Sequence, residues 1–215
     1  VSCSPIEVTD IVRDERELVG AALALGAAEV PRWSAVERRL AERAARPSAA
    51  VARALRGAIA AGEDPLGDAF CRLRAAADRR ELGATYTPPT VIAAMVEWGA
   101  SPAPQRVVDP GTGSGRFLVA AGRRVAGAEL VGVEVDPLAA LLARAHLATA
   151  GLAHRARVER CDFRSLRLPE VTGRTLFLGN PPYVRHHAIA PRWKRWLADR
   201  ARALGLGASA LAGAH

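Results

Sequence analysis

Cysteine is scarce in this chain of 215 residues. Cys3, Cys71 and Cys161 are scattered, with no CxxC pair and no histidine-rich neighbour. That spacing excludes a disulfide framework and a zinc site, so no metal is expected and the thiols are expected to be reduced and structural. No apolar run reaches the roughly 20 residues of a membrane span, and the N-terminus lacks the basic-then-apolar layout of a signal peptide. The expectation is a soluble, cytoplasmic protein with no membrane partner. Lysine is almost displaced by arginine, so the formal charge of +8 and the pI near 10.7 permit a polyanionic partner yet partly reflect genome base composition. What is present is a composition half apolar and one quarter charged, enough to bury one core and carry a helical extension.

The position of the charge says more than its sum. Residues 1–80 hold 13 Arg against 12 Asp and Glu, whereas residues 81–215 hold 17 Lys and Arg against 10 acids. Arg185, Arg192, Lys194, Arg195, Arg200 and Arg202 crowd into one segment beside His186 and His187, with Asp199 the only acid. Such a cluster suits the phosphates of a nucleic acid; the alternative is a solvated helix face.

The first 80 residues read as helices with little chemistry. Ser34 with Glu37 forms a capping pattern, Pro47-Ser48 restarts the chain, and Asp64-Pro65 opens a further helix along which Leu66, Phe70, Leu73 and Ala77 recur. Such an arm either contacts DNA or a partner, or packs over one edge of a sheet, the reading favoured here. Thr87 can then cap a helix that starts at Pro88 and stops at Gly99.

From Arg106 the pattern changes to strand, turn and helix. Arg106 to Asp109 is apolar enough for a buried strand, and Gly111, Gly113 and Gly115 let the backbone turn tightly and approach a ligand at a helix N-terminus. A second strand over 130–134 ends in Glu134, 21 residues after Gly113. A carboxylate there meets the ribose hydroxyls of an adenosine-type ligand. Asp136 reads as a helix cap, with Leu138, Leu141, Leu142 and Ala145 on one face of the helix it opens. A third strand over 156–160 delivers Asp162 and Phe163, an acceptor and a wall for an adenine, or else a plain loop cap.

A fourth strand over 175–179 ends in Asn180-Pro181-Pro182-Tyr183. The two prolines remove N–H donors, which leaves an amide oxygen and a bare carbonyl beside an aromatic plane. Those groups accept both N–H bonds of a planar amine and stack on its ring; the alternative is a proline-rich turn with rim packing.

The ordered set Tyr86-Thr-Pro88, Asp109-Pro-Gly-Thr-Gly-Ser-Gly-Arg-Phe-Leu118, Val133-Glu134, Asp162-Phe163 and Asn180-Pro-Pro-Tyr183 resembles the amino-methylating DNA methyltransferases. It is most similar to the adenine-specific (N6) enzymes of restriction-modification systems, over roughly residues 80–200. The resemblance implies an α/β, Rossmann-like domain that uses S-adenosylmethionine, here partial, with about four parallel strands in the order 3-2-1-4 and a helical extension. In domain terms it implies an extension over 1–80 and a partial catalytic domain over 81–215. Carried over, Tyr86, Thr87 and Pro88 contact the methionine end of the cofactor, and Asp109, Gly111, Gly113 and Gly115 cradle it. Glu134 holds the ribose, Asp162 and Phe163 the adenine. Asn180 and the carbonyl of Pro181, stiffened by Pro182, grip the target amine, and Tyr183 stacks on the flipped base. The implied partner is double-stranded DNA along Arg185–Arg202, in the nucleoid. A cytosine-carbon methylase would instead need an activated Cys, and none lies in a Pro-Cys corner.

One departure stands out. Further strands and a target-recognition region expected of such a domain do not follow the fourth strand, so a fragment with an open sheet edge, completed by a missing C-terminal region or a second chain, is expected. Methylation of RNA or of a protein glutamine, and a non-catalytic cofactor- or DNA-binding fragment, remain the alternatives.

Overall fold

The computed structural model describes residues 12–74, 87–180 and 190–207. These fall into two compact units, 12–74 with 87–180 and, separately, 190–207. The larger unit opens with four helices, α1 (Glu15–Ala24), α2 (Ala35–Glu42), α3 (Ala49–Ala60) and α4 (Pro65–Leu73). Their starts are written locally: Asp14, Ser34, Ser48 and Asp64 each accept a backbone amide from the first turn, and Ser34 with Glu37 completes a capping box. Helix α5 (Pro89–Gly99) then leads to an alternating series: β1 (Arg106–Asp109), α6 (Arg116–Arg124), β2 (Glu129–Glu134), α7 (Pro137–Thr149), β3 (Ala156–Arg160) and β4 (Thr175–Phe177).

The four strands are parallel and lie in the order β3-β2-β1-β4. This is the expected partial Rossmann-like α/β sheet, in which α6 and α7 cross over between β1, β2 and β3 and the strands' C-terminal ends share one edge. Val107 faces Leu130 across β1 and β2, and Val107 also faces Leu176 of β4. On one face, Val107, Leu130 and Val158 bury against Ile92 and Val96 of α5, Phe117, Leu118 and Ala121 of α6, and Ala140, Ala143 and Leu147 of α7. On the other, Val108, Val131 and Val133 are covered among the described residues by Cys161, Leu166 and Leu168.

Three expectations need correction. The N-terminal helices do not pack over a sheet edge: Leu18, Leu25, Leu55, Ile59 and Leu66 bury against Leu138, Leu141, Leu142 and Ala145 of α7. The large apolar face of α7 therefore belongs to the helical layer, while its Ala-rich face, which allows close approach, lies on the sheet. Thr87 does not cap α5, because Pro88 takes that position and no side chain caps the first turn. β4 ends at Phe177 rather than Gly179, although the amide of Leu178 still donates to the Val108 carbonyl at 2.9 Å.

One buried ion pair fastens the helical layer to the α/β unit. Arg144 of α7 and Glu37 of α2 are both fully buried, with Arg144 Nε donating to Glu37 Oε1 at 2.8 Å. The remaining guanidinium N–H groups donate to the carbonyls of Val30, Pro31, Arg32 and Val158. The smaller unit contributes α8 (Pro191–Ala203), a basic helix with no buried residue.

Candidate active site

The turn between β1 and α6 is built around two left-handed glycines, Gly113 (φ 51°) and Gly115 (φ 92°). The Thr112 amide donates to the Val133 carbonyl at 3.0 Å and the Gly115 amide to the Thr112 carbonyl at 2.8 Å, which closes the turn on itself and on β2. A Cβ on Gly115 would lie 3.1 Å from Cα of Ala143, so glycine also lets α6 start against α7. Beside Gly113 the space is open, with no described heavy atom within 4 Å of where a Cβ would sit.

Asp109 ends β1 with its carboxyl buried. Oδ1 accepts the Gly111 amide at 3.3 Å, while Oδ2 has no hydrogen-bond partner among the described residues. Burial pushes this carboxyl up to about 7, with the Gly111 amide working against the rise and the charge of Glu134 adding to it. Glu134, at the end of β2, spans the turn: Oε2 accepts the Gly113 amide at 2.9 Å, and Oε1 accepts those of Val135 and Asp136 at 2.8 and 3.0 Å. Burial raises its carboxyl as well, offset by those three amides. Asp136 caps α7 through the amides of Leu138 and Ala139, as its position before Pro137 implies.

The end of β4 meets the same turn. A Cβ on Gly179 would lie 2.2 Å from Asp109 Oδ1, so only glycine admits the carboxyl at that point. Next to it, Asn180 Nδ2 donates to Thr87 Oγ1 at 3.1 Å. Thr87, freed from capping, thus holds the amide of Asn180 and leaves Oδ1 as its acceptor. Thr87, Pro88, Asp109, Gly111, Gly113, Gly115, Glu134 and Asn180 form one connected group at the C-terminal edge of the sheet. Asp162 caps a short 3-10 turn through the Arg164 amide at 2.9 Å and pairs with the Arg164 guanidinium, which engages the carboxylate that adenine binding would need. Phe163 is half-exposed and meets Phe177 of β4 edge to face at 6.0 Å. Tyr86, Pro181, Pro182 and Tyr183, together with Arg185, His186 and His187, lie outside the described residues.

A second cluster beneath the turn has no counterpart in the sequence reading. Asp64, the cap of α4, is buried with Ser114, Arg116 and His146 around its carboxylate. The only local signal was Asp64-Pro65, which marks a helix start and says nothing of a partner 50 residues on.

The sequence model of one family, described as N-6 DNA Methylase, matches residues 62–201. This chain belongs to the N-6 DNA methylase family. The chain is 52% identical over 134 residues to the Type II methyltransferase M.XamI of Xanthomonas campestris pv. amaranthicola, covering 62% of this chain and 25% of that protein. It is 31% identical over 113 residues to a tRNA1(Val) (adenine(37)-N6)-methyltransferase of Porphyromonas gingivalis, covering 51% and 44%. A solved type I restriction-modification system methyltransferase subunit from Streptococcus thermophilus aligns with a TM-score of 0.40 at 23% identity, over 56% of this chain and 28% of that one. The chain therefore spans about a quarter of the length of the first of these relatives and less than half of the second. The N-6 DNA methylase match opens at residue 62, so it takes in α4 and Asp64 as well as the glycine turn.

Among the described residues no three of His, Cys, Asp and Glu converge to hold a metal, and no helix is long and apolar enough to cross a membrane. Burial pushes the Cys161 thiol above its ordinary value, the opposite of an activated nucleophile.

Proposed function

We propose that this chain carries the methyl-transfer centre of an N6-adenine DNA methyltransferase of restriction-modification type, working in the cytoplasm on nucleoid DNA. One observation supports the reading above the others. Asn180, fastened to Thr87, stands directly after the glycine that packs on Asp109 of the cofactor turn, so amine-gripping and donor-holding groups adjoin. The residues present fit S-adenosylmethionine. The orphaned, buried Oδ2 of Asp109 suits a cationic ligand, the open space beside Gly113 admits one, and Glu134 offers a carboxylate for ribose hydroxyls. A cation beside Asp109 favours its ionised form.

S-adenosylmethionine, when bound, would supply an electrophilic methyl group. The protein's part is to present a nucleophile to it. The exocyclic nitrogen of adenine is a poor nucleophile because its lone pair is delocalised into the ring. Asn180 Oδ1 and the Pro181 carbonyl would accept its two N–H bonds and draw the lone pair out of conjugation. Thr87 Oγ1 accepts from Asn180 Nδ2, which would leave Asn180 Oδ1 for the amine. Tyr183 would stack on the flipped base, worth about 1–3 kcal/mol against the cost of extrusion. Arg192, Lys194, Arg195, Arg200 and Arg202 of α8 would meet backbone phosphates.

The test offers labelled S-adenosylmethionine with duplex DNA, tRNA and protein in parallel. Label in DNA, appearing as N6-methyladenine, is the expected result. Label in tRNA alone would move the chain to the activity of its Porphyromonas relative, and label in protein to glutamine methylation. Asn180→Ala should abolish transfer while calorimetry finds cofactor affinity unchanged. A lost affinity would reassign Asn180 to the cofactor.

A further inference from the structure

The glycine turn is held from two sides. Above it, Gly113 is tied to Glu134, a carboxylate that ribose hydroxyls would compete for. On the other side, Asp64 forms a buried tether. Asp64 Oδ2 accepts Ser114 Oγ at 2.5 Å and Arg116 Nε at 2.6 Å. Asp64 Oδ1 accepts the Gly67 amide at 2.7 Å as the cap of α4, and His146 Nε2 of α7 lies 3.2 Å from it. The other ring nitrogen, Nδ1, donates to the Ser114 carbonyl at 2.7 Å, because a carbonyl only accepts. Ser114 is thus gripped by its side chain and its backbone together, between the two left-handed glycines of the turn. Burial opposes the charge on Asp64, but His146, the Ser114 hydroxyl, Arg116 and the Gly67 amide together hold its carboxyl below the ordinary value.

We infer that Asp64 and His146 are positioning residues for the cofactor turn, so that α4 of the helical layer is a working part of the methyl-donor site. The inference rests on the methyl-donor reading of the turn. When a ligand draws Glu134 away from Gly113, the Asp64–His146 clamp keeps Ser114 and the first turn of α6 in place, and affinity depends on it. A purely structural staple between α4, α6 and α7 would lower stability when cut and leave affinity alone.

The experiment compares the parent with Asp64→Asn, Ser114→Ala and Leu55→Ala. Asp64→Asn keeps the size of the cap and an acceptor for Gly67. Leu55→Ala lowers stability at a buried site of the helical layer. Each is titrated with S-adenosylhomocysteine by calorimetry well below its Tm, and ligand-free amide exchange is followed over residues 113–116. The expected result is about tenfold weaker binding for Asp64→Asn and a smaller loss for Ser114→Ala, in line with loss of charge-assisted and neutral hydrogen bonds. Exchange over 113–116 should quicken in both, while Leu55→Ala binds as the parent does. Parental affinity and exchange in Asp64→Asn would overturn the inference, as would an equal loss of affinity in Leu55→Ala. If Asp64→Asn does not fold, Ser114→Ala, which leaves Asp64 paired to Arg116, decides by the same readouts. If the parent binds no S-adenosylhomocysteine, the methyl-donor reading fails and the inference falls with it, whereas a parent that binds and an Asp64→Asn that binds equally well overturn the inference alone.

Discussion

Asp109 is a carboxyl at the centre of the site whose burial favours the neutral form. Its folded value near 7 lies above the 3.8 of an ordinary aspartate. The folded protein therefore keeps this proton where the unfolded chain gives it up. The stability it contributes is fully present below pH 3.8 and is lost as the pH rises through about 7. Three pH units correspond to a loss of up to about 4 kcal/mol. Urea midpoints at pH 5, 7 and 8.5 should fall for the parent, and Asp109→Asn should lose that part of the fall; parallel profiles would show that Asp109 does not titrate there. Thr87 permits a second prediction at the same scale. Thr87→Val removes the hydrogen bond that orients Asn180, worth about 1 kcal/mol. The single-turnover rate at saturating cofactor should drop about five- to tenfold, and an unchanged rate would mean that Thr87 has no part in holding the amide.

Helix α7 is the element on which the larger unit is assembled, since ten of its residues are buried. Arg144 is its most exacting contact. Truncating it strands Glu37 in the interior, so Arg144→Met should cost about 3–5 kcal/mol in urea unfolding. Glu37→Leu combined with Arg144→Met should recover much of that loss, because no lone charge is then buried. A double variant as unstable as the single one would place the value of Arg144 in its four carbonyl contacts instead. The starts of α2 to α4 could be read from the chain because a cap is a relation between residues three apart. The partner of α7 could not, because an apolar stripe fixes which side is buried and not what buries it. Leu138, Leu141 and Leu142 were found as a face, and the helical layer took it.

For the chain as a whole, charge is the property with a measurable consequence. The excess lies in the second part of the sequence, and α8 presents Arg192, Lys194, Arg195, Arg200 and Arg202 against Asp199, which pairs with Arg202 at 3.0 Å. If these side chains meet phosphates, the logarithm of duplex affinity should fall linearly with the logarithm of salt concentration. Lys194→Ala and Arg195→Ala should each reduce the slope by about 0.9. Anisotropy titrations between low and moderate salt would measure it, and an unaltered slope would return the helix to plain solvation.

The sequence by itself determined the glycine turn and the capped starts of α2 to α4, because each depends on neighbours within a few residues; the strand order was implied by the family resemblance. The sequence also put Glu134 and Asp136 in different positions through the proline that follows Asp136. Only the tertiary structure decided that Thr87 serves Asn180 rather than α5, that Gly179 is glycine because Asp109 lies against it, and that Asp64 reaches under Ser114. Those are contacts between residues 50 to 93 positions apart. Their partners are chosen by the packing of elements, which no local pattern encodes.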